Sequence, residues 1–307
     1  MKFRKTAAAA FAVLALTATA TACGGKQGSA GDKQSAKPGD KNAPKAPAYT
    51  VAKDVKLDSA TLKKARKRGK IIIGSKADQP YLGFEDQATK ERSGFDIEIA
   101  KMLAADLGFS EDQIEWKTVD SGVRETAISK GQVDFYVGTY SINDERKKLV
   151  GFAGPYYKAG ADLLVRKDEK SIQGKDSVKG KKVCSIVGST PLQEIKKPEY
   201  GAKVVELAKY SDCVQQLLTQ QVDAVTTDDA ILKGYAAQNP EKLRVVGKPF
   251  TVEPYGVGLN KSDKALRNFF DDKLEAHVKD GTYKKIYDAT LGLSGSSYVE
   301  PPAVERY

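Results

Sequence analysis

The sequence predicts an α/β protein of two lobes, each a mostly parallel β-sheet covered by helices, with two crossover strands joining them. Three observations lead there. From residue 58 onward, short β-branched runs alternate with segments of helical period, the βαβ rhythm of parallel sheets. That rhythm starts afresh after residue 160. A helical stretch over residues 262–290 then follows with no sheet of its own, so it has to pack on the first one. Lobe 1 is therefore expected over residues 51–159 plus 254–307, and lobe 2 over residues 160–253.

The N-terminus comes before any of this. Lys2, Arg4 and Lys5 precede an apolar run over residues 7–22, shorter than a membrane span and diluted by threonines. A basic start, an apolar centre and small residues before a break describe a signal peptide over residues 1–22. The break reads A-T-A-C-G-G over residues 20–25, which resembles the lipobox of bacterial lipoproteins, where the cysteine becomes the N-terminus and is acylated. Ala20 stands where that motif usually has leucine. The plainer reading is an ordinary secretory signal that contains a cysteine, but a lone thiol at that junction has no other use. Lipidation of Cys23 and anchoring at the outer face of the membrane are expected.

Residues 23–50 continue with Gly, Ser, Pro, Lys and Ala and no aromatic before Tyr49. Such a stretch buries too little apolar surface to offset its ordering entropy, so it is expected to be a disordered tether. The whole chain carries a net charge of +10. The leader supplies three of these charges, and five lysines against two aspartates in the tether supply three more, which leaves +4 for residues 51–307. No basic block interleaves with aromatics, which argues against a nucleic-acid partner.

In the folded part, residues 58–69 read as a helix with a capping Asp or Ser and a closing glycine, and residues 70–75 as a buried strand. Residues 94–108 place Ile97, Ala100, Met102, Leu103 and Leu107 along one apolar side of a helix. A strand over 113–119, a helix over 124–131 and a strand over 133–141 follow. In the second half, strands are expected over 181–188, 202–208, 222–227 and 243–250. Helices are expected over 211–221 and 228–239, and a last strand over 255–261. Cys184 and Cys213 remain as a pair once Cys23 is assigned. Export makes a disulfide between them the expected state, two buried thiols being the alternative. Closing a loop of 29 residues stabilises by about 3.5 kcal/mol in the chain-entropy treatment.

Four segments carry a resemblance. G-F-D-I-E-I-A-K-M-L-A-A-D-L over residues 94–107 is similar to the signature of bacterial extracellular solute-binding proteins of the polar amino-acid family, family 3. T-Y-S-I-N-D-E-R-K-K (139–148) with F-A-G-P-Y-Y (152–157) resembles the family's ligand loop. V-G-S-T-P (187–191) resembles its second-lobe anion loop, and V-D-A-V-T-T-D-D-A-I-L (222–232) its second-lobe acidic turn. The likeness covers nearly all of residues 68–292. Within the family it runs to glutamate-binding lipoproteins of ABC importers. It implies a type II periplasmic-binding-protein-like fold that closes by hinge motion on an amino acid, acts as a monomer without a cofactor, and delivers its ligand to an ABC permease.

The residue chemistry bears on this separately. Arg146 is suited to a bidentate grip on a carboxylate. Thr190, Pro191 and Gln193 read as a capping box with proline at the first helical position, which turns free N–H groups toward an anion. The resemblance puts the ligand α-carboxylate between Arg146, Ser141 and Thr190, and the ammonium on Asp228 with Thr139 as a further acceptor. Taken singly, Thr190 and Asp228 read as ordinary helix caps and Arg146 as a surface arginine. Asn143 departs from the family's usual threonine.

Side-chain selectivity follows from Lys76. Relatives that bind basic or neutral polar amino acids often carry an aspartate two residues after the first-strand glycine, whereas here Gly74 is followed by Ser75 and Lys76. Acidic amino-acid binders resemble this chain there, and also in Arg124 and Ser121. A buried ligand carboxylate needs a partner, which Lys76 and Arg124 would supply, and an aspartate at 76 would repel it. The plainer reading leaves Lys76 solvated and Arg124 capping a helix. Glutamate is the expected ligand, with aspartate or glutamine as alternatives.

Nothing in the sequence calls for catalysis. His277 lies in a charged helix and reads as a surface residue, no metal-ligand spacing occurs, and no G-x-S-x-G, P-loop or dinucleotide fingerprint is present. Relatives with this fold include dehydratases and sensor domains. The first would need an acid or base beyond Asp228. Sensors continue into a membrane span, and none follows before Tyr307, so transport is the expected role.

Overall fold

The computed structural model describes residues 44–306, so the leader, Cys23 and most of the expected tether lie outside it. Helix α1 (Ala60–Arg68) is capped by Ser59, whose Oγ accepts from Leu62 N–H, and closed by Gly69 in the left-handed region. Strand β1 (Ile71–Ser75) follows. The short strands β2 (Asp78–Gln79), β3 (Gly83–Glu85) and β4 (Arg92–Ser93) form a small antiparallel sheet that the sequence reading lacks. Then come α2 (Phe95–Asp106), β5 (Ile114–Thr118), α3 (Arg124–Ser129), β6 (Phe135–Tyr136) and α4 (Asp144–Leu149). Strands β7 (Gly151–Ala159) and β8 (Ala161–Arg166) run back to back with only Gly160 between them. Next are β9 (Lys182–Ile186), α5 (Thr190–Ile195), β10 (Lys203–Leu207), α6 (Tyr210–Leu218), β11 (Ala224–Asp228), α7 (Asp229–Gln238) and β12 (Leu243–Val245). The described chain ends with β13 (Glu253–Leu259), α8 (Lys264–Lys279), α9 (Thr282–Ala289) and an irregular tail.

Two five-stranded sheets organise these elements, in the orders β5-β1-β6-β13-β7 and β10-β9-β11-β8-β12. Each has a parallel core of three strands, and each takes in one strand of opposite direction, β13 in the first and β8 in the second. These opposed strands lie where the chain changes sheet: β7 leads into β8, and the stretch after β12 leads into β13. The parallel strands of both sheets therefore end at the passage between the two lobes. In open α/β sheets, ligands sit beyond such strand ends.

Packing explains the elements. Helix α2 is buried on all sides, Asp96 and Asp106 included, rather than along one apolar stripe. Asp96 is held by Tyr156 OH at 2.8 Å and by the Thr139 N–H at 2.9 Å. The C-terminal helices pack on the first sheet: Phe270 of α8 meets Phe135 edge-on, and Asp271 accepts from Gly154 N–H at 2.7 Å. Cys184 of β9 and Cys213 of α6 form a disulfide, which ties that helix to the second sheet. The end of the expected tether is docked: Tyr49 donates to Glu98 at 2.8 Å, and Ala52 N–H to Ala105 O at 2.9 Å.

Three expectations need correction. The strand expected over 133–141 is regular only at Phe135–Tyr136, because the chain turns out of the sheet and reaches a left-handed Thr139, φ 46°. The strand expected over 243–250 stops at Val245. His277 is not a surface residue: its side chain is 18% exposed and its Nε2 lies 2.9 Å from Asp106. Burial opposes its protonation, but Asp106 and Asp280 outweigh burial and raise its pKa.

Candidate functional site

The cleft side chains are placed by loops just past the parallel strand ends. Lys76 follows β1, Ser121 and Arg124 follow β5, and Thr139 and Ser141 follow β6. From the second sheet, Thr190 follows β9 and Asp228 is the last residue of β11. Six of the eight residues assigned to the ligand from the sequence line one narrow space of about 10 Å³: Ser121, Arg124, Thr139, Ser141, Thr190 and Asp228. Lys76 and Arg146 stand behind them. A wider surface groove lies between α8 and the C-terminal tail, but its charged residues, Glu275, Lys279 and Glu300, are not buried. The chemistry, not the size, marks the site.

Three cations occupy the first-lobe wall. Lys76 is 3% exposed and donates to Ser121 Oγ at 2.8 Å. It forms no ion pair among the described residues, and burial, then Arg124, lowers its pKa to about 7. It is not solvated. Arg124, 2% exposed, reaches Ser121 Oγ at 3.4 Å and Gly188 O at 3.1 Å, and its Nε has no hydrogen-bond partner. Its guanidinium lies 4.2 Å from the centre of the Tyr140 ring. Arg146 is buried, not a surface arginine. It donates to Ser141 O at 2.6 Å and Gly188 O at 2.9 Å, and burial, then Arg124, lowers its pKa to about 10. Glu125 stands 3.4 Å from the Arg146 Nε and 3.6 Å from the Arg124 Nε.

The second-lobe wall is acidic and hydroxylic. Thr190 lies 3.3 Å from Ser141 across the cleft and donates to Glu253 Oε2 at 2.6 Å. Thr190 is not the helix cap. Ser189 is the N-cap, its Oγ accepting from Leu192 N–H, and Thr190 opens α5 with Pro191 after it. The capping-box reading was one residue late, because S-T-P offers two hydroxyls and only the first has extended backbone. With its hydroxyl proton on Glu253, Thr190 keeps a backbone N–H without an intrahelical partner as its donor toward an anion. Asp228 occupies the N-cap position of α7 but makes no side-chain cap bond. Its Oδ2 accepts from Tyr255 OH at 2.7 Å, and its buried Oδ1 has no partner. Burial, then the charge of Glu253, pushes its pKa well above the usual carboxylate range, against the pull of the Tyr255 bond.

Two further details complete the cleft. Thr139 donates its hydroxyl proton to Gln79 Oε1 at 3.2 Å, which leaves its oxygen free to accept. Gly188 sits at φ 80°, where an added Cβ would meet Gly122 Cα and Ser121 O at 2.7 Å. The two loops thus approach backbone to backbone, and the Gly188 carbonyl takes a bond from each arginine. Asn143, the departure from the family pattern, caps α4 by accepting from Arg146 N–H at 2.9 Å. Sequence reasoning missed Glu253, Tyr255, Tyr140, Gln79 and Gly188. The expected strand over 255–261 includes Tyr255 but begins after Glu253, and nothing local shows which side chains there face the cleft.

Among the described residues no group of three or more His, Cys, Asp or Glu is placed to hold a metal ion, and no helix is long and apolar enough to cross a membrane. The arrangement suits a zwitterion: cations and hydroxyls for carboxylates, and an ionisable acid with a free oxygen for an ammonium.

Comparison with known proteins agrees with that chemistry. The sequence profile of bacterial extracellular solute-binding proteins, family 3, matches residues 71–292. The glutamate-binding protein GluB of Corynebacterium efficiens is 39% identical over 238 residues, 74% of this chain and 81% of that protein. The ABC transporter glutamine-binding protein GlnH of Bacillus subtilis is 38% identical over 237 residues, 77% of this chain and 86% of that protein. Among solved structures, an ancestral arginine-binding protein bound to glutamine superposes with a TM-score of 0.68 at 38% identity, covering 73% of this chain and 99% of that one. The chain belongs to the bacterial extracellular solute-binding proteins, family 3, with the type II periplasmic-binding-protein fold, and is an amino-acid-binding protein of ABC transport.

Proposed function

We propose that this protein captures glutamate, or a closely related acidic amino acid, for an ABC permease. The carrying observation is Lys76: a lysine buried beside Arg124 with a hydroxyl for a partner and no carboxylate. Asp78, Asp120 and Glu125 favour its charge only from beyond ion-pair distance, and the side-chain carboxylate of glutamate supplies a direct partner. In this reading Lys76, Arg124 and Ser121 take the side chain. Arg146, Ser141 and Thr190 take the α-carboxylate, and Asp228 and Thr139 take the ammonium. Residues 51–159 with 254–307 move as one body against residues 160–253. Ligand favours the closed arrangement because only there do both walls reach it. Glutamine is the second reading. A relative carries that name, and a lysine with a pKa of about 7 accommodates an amide.

Calorimetric titration of the purified protein with the twenty common amino acids tests this. Glutamate is expected to bind most tightly. Sub-micromolar binding of lysine or arginine with no heat from glutamate overturns the pocket assignment. The anchor at Cys23 lies outside the described residues and belongs to the same proposal: Cys23→Ser should release the protein from the cell surface into the medium, and continued retention contradicts it.

A further inference from the structure

Strand β13 brings the chain back from the second lobe to the first, and two of its side chains enter the cleft. Tyr255 is fully buried and donates to Asp228 Oδ2 at 2.7 Å. Glu253 is 5% exposed, accepts from the hydroxyls of Thr190 at 2.6 Å and Thr251 at 2.9 Å, and makes no ion pair among the described residues. Strand β13 also bridges the first-lobe wall, where Ser141 pairs with Tyr255 through the backbone. The strand that links the lobes thus holds both of the second lobe's assigned ligand residues.

We propose that Glu253 and Tyr255 are positioning residues that set, in opposite senses, how readily Asp228 receives the ligand's ammonium. This rests on the reading of Asp228 as the ammonium acceptor. Tyr255 fixes one carboxyl oxygen and leaves the other, Oδ1, for the ligand. Its hydroxyl bond favours the ionised carboxylate. Glu253, which accepts the Thr190 hydroxyl proton and holds that hydroxyl in one orientation, adds a second negative charge to the same wall and favours the protonated form of Asp228. The other groups that face Asp228 are Asp229 from α7, Arg146 from α4, Tyr210 from α6 and Tyr157 from β7. Asp229 repels its charge, as Glu253 does, and Arg146 attracts it. Because Glu253 and Tyr255 sit on a crossover strand, a twist of that strand on opening would alter both contacts together.

The sign is fixed by the direction of each contact. Asp228 must be ionised to hold an ammonium, so affinity falls as pH drops through its pKa in the free protein. Removing the charge of Glu253 lowers that pKa, and removing the bond from Tyr255 raises it.

The test is the acid limb of L-glutamate affinity, measured by calorimetry on the full chain as pH is lowered until binding is lost. Glu253→Gln should move the limb to lower pH, and Tyr255→Phe should move it to higher pH. Both changes are close to isosteric; melting curves without ligand establish that each variant folds, and either variant alone carries a signed expectation. Limbs that stay in place, or move the same way, overturn the proposal, since a merely structural role weakens binding evenly across pH. Asp228→Asn separates the two levels. If it abolishes binding while the limbs stay fixed, the ammonium reading stands and the tuning falls. If it binds glutamate as the natural protein does, both fall.

Discussion

The two walls of the cleft are built on the same strand order but carry opposite chemistry. The first-lobe wall buries Lys76, Arg124 and Arg146, whose bonds go to Ser121, Ser141 and the Gly188 carbonyl. The second-lobe wall presents Thr190 and Asp228, backed by Glu253 and Tyr255. A pocket for a neutral amino acid needs one cation for the α-carboxylate and one anion for the ammonium. The first wall holds two cations beyond that, and Glu125 lies near Arg124 and Arg146 but forms no ion pair with Lys76. The difference between the walls is what points to a second carboxylate on the ligand.

Reversing the charge at the first wall is the strongest way to break that contrast. Lys76→Asp removes a buried partner of the ligand side chain and adds repulsion, with an expected loss of about a thousandfold in glutamate affinity, from a cost of roughly 4 kcal/mol. Unchanged affinity in the titration would place Lys76 away from the ligand. The second wall depends on its staple. Replacing Cys184 and Cys213 together by serine should lower unfolding stability by about 3.5 kcal/mol, read from denaturant curves, because α6 is then no longer tied to β9. Stability within 1 kcal/mol of the natural protein would show that packing alone holds that lobe.

Much of the architecture was legible because its signals are local. Ser59 and Gly69 bracket α1, and I-I-I-G-S reads as a buried strand. The reading failed where structure depends on distant partners. Strand β7 runs through F-A-G-P-Y-Y, where Pro155 argues against a strand, and pairing with β13 makes it regular, as pairing with β11 does for β8. The eight positions assigned to the ligand were reached through motif likeness, and that six of them line one space was not visible locally. Glu253 and Tyr255 were out of reach for the same reason: they meet Thr190 and Asp228 across 63 and 27 residues of sequence.

A smaller effect sharpens the comparison through pH. Lys76 has a pKa of about 7 in the free protein. Pairing with a ligand carboxylate requires the ammonium form, so glutamate binding takes up a proton once Lys76 is neutral. The Lys76 contribution to glutamate affinity should therefore be complete below pH 7 and fall by up to about tenfold per pH unit above it, on the alkaline side of the Asp228 limb. Glutamine, which brings no second carboxylate, should show no such limb, and parallel profiles for the two ligands would remove Lys76 from the pocket. The smallest effect is expected at Asn143. Asn143→Ala removes the cap of α4 and should cost about 1 kcal/mol of stability, with a shift in melting temperature and little change in the preference between ligands.

The most direct measurement compares glutamate and glutamine affinities at pH 6.5 for the natural protein and for Lys76→Met, which keeps the side-chain volume and removes the charge. The natural protein is predicted to prefer glutamate, and Lys76→Met to lose about a hundredfold toward glutamate while glutamine changes only severalfold. Equal weakening of both ligands, or of neither, would contradict the acidic pocket.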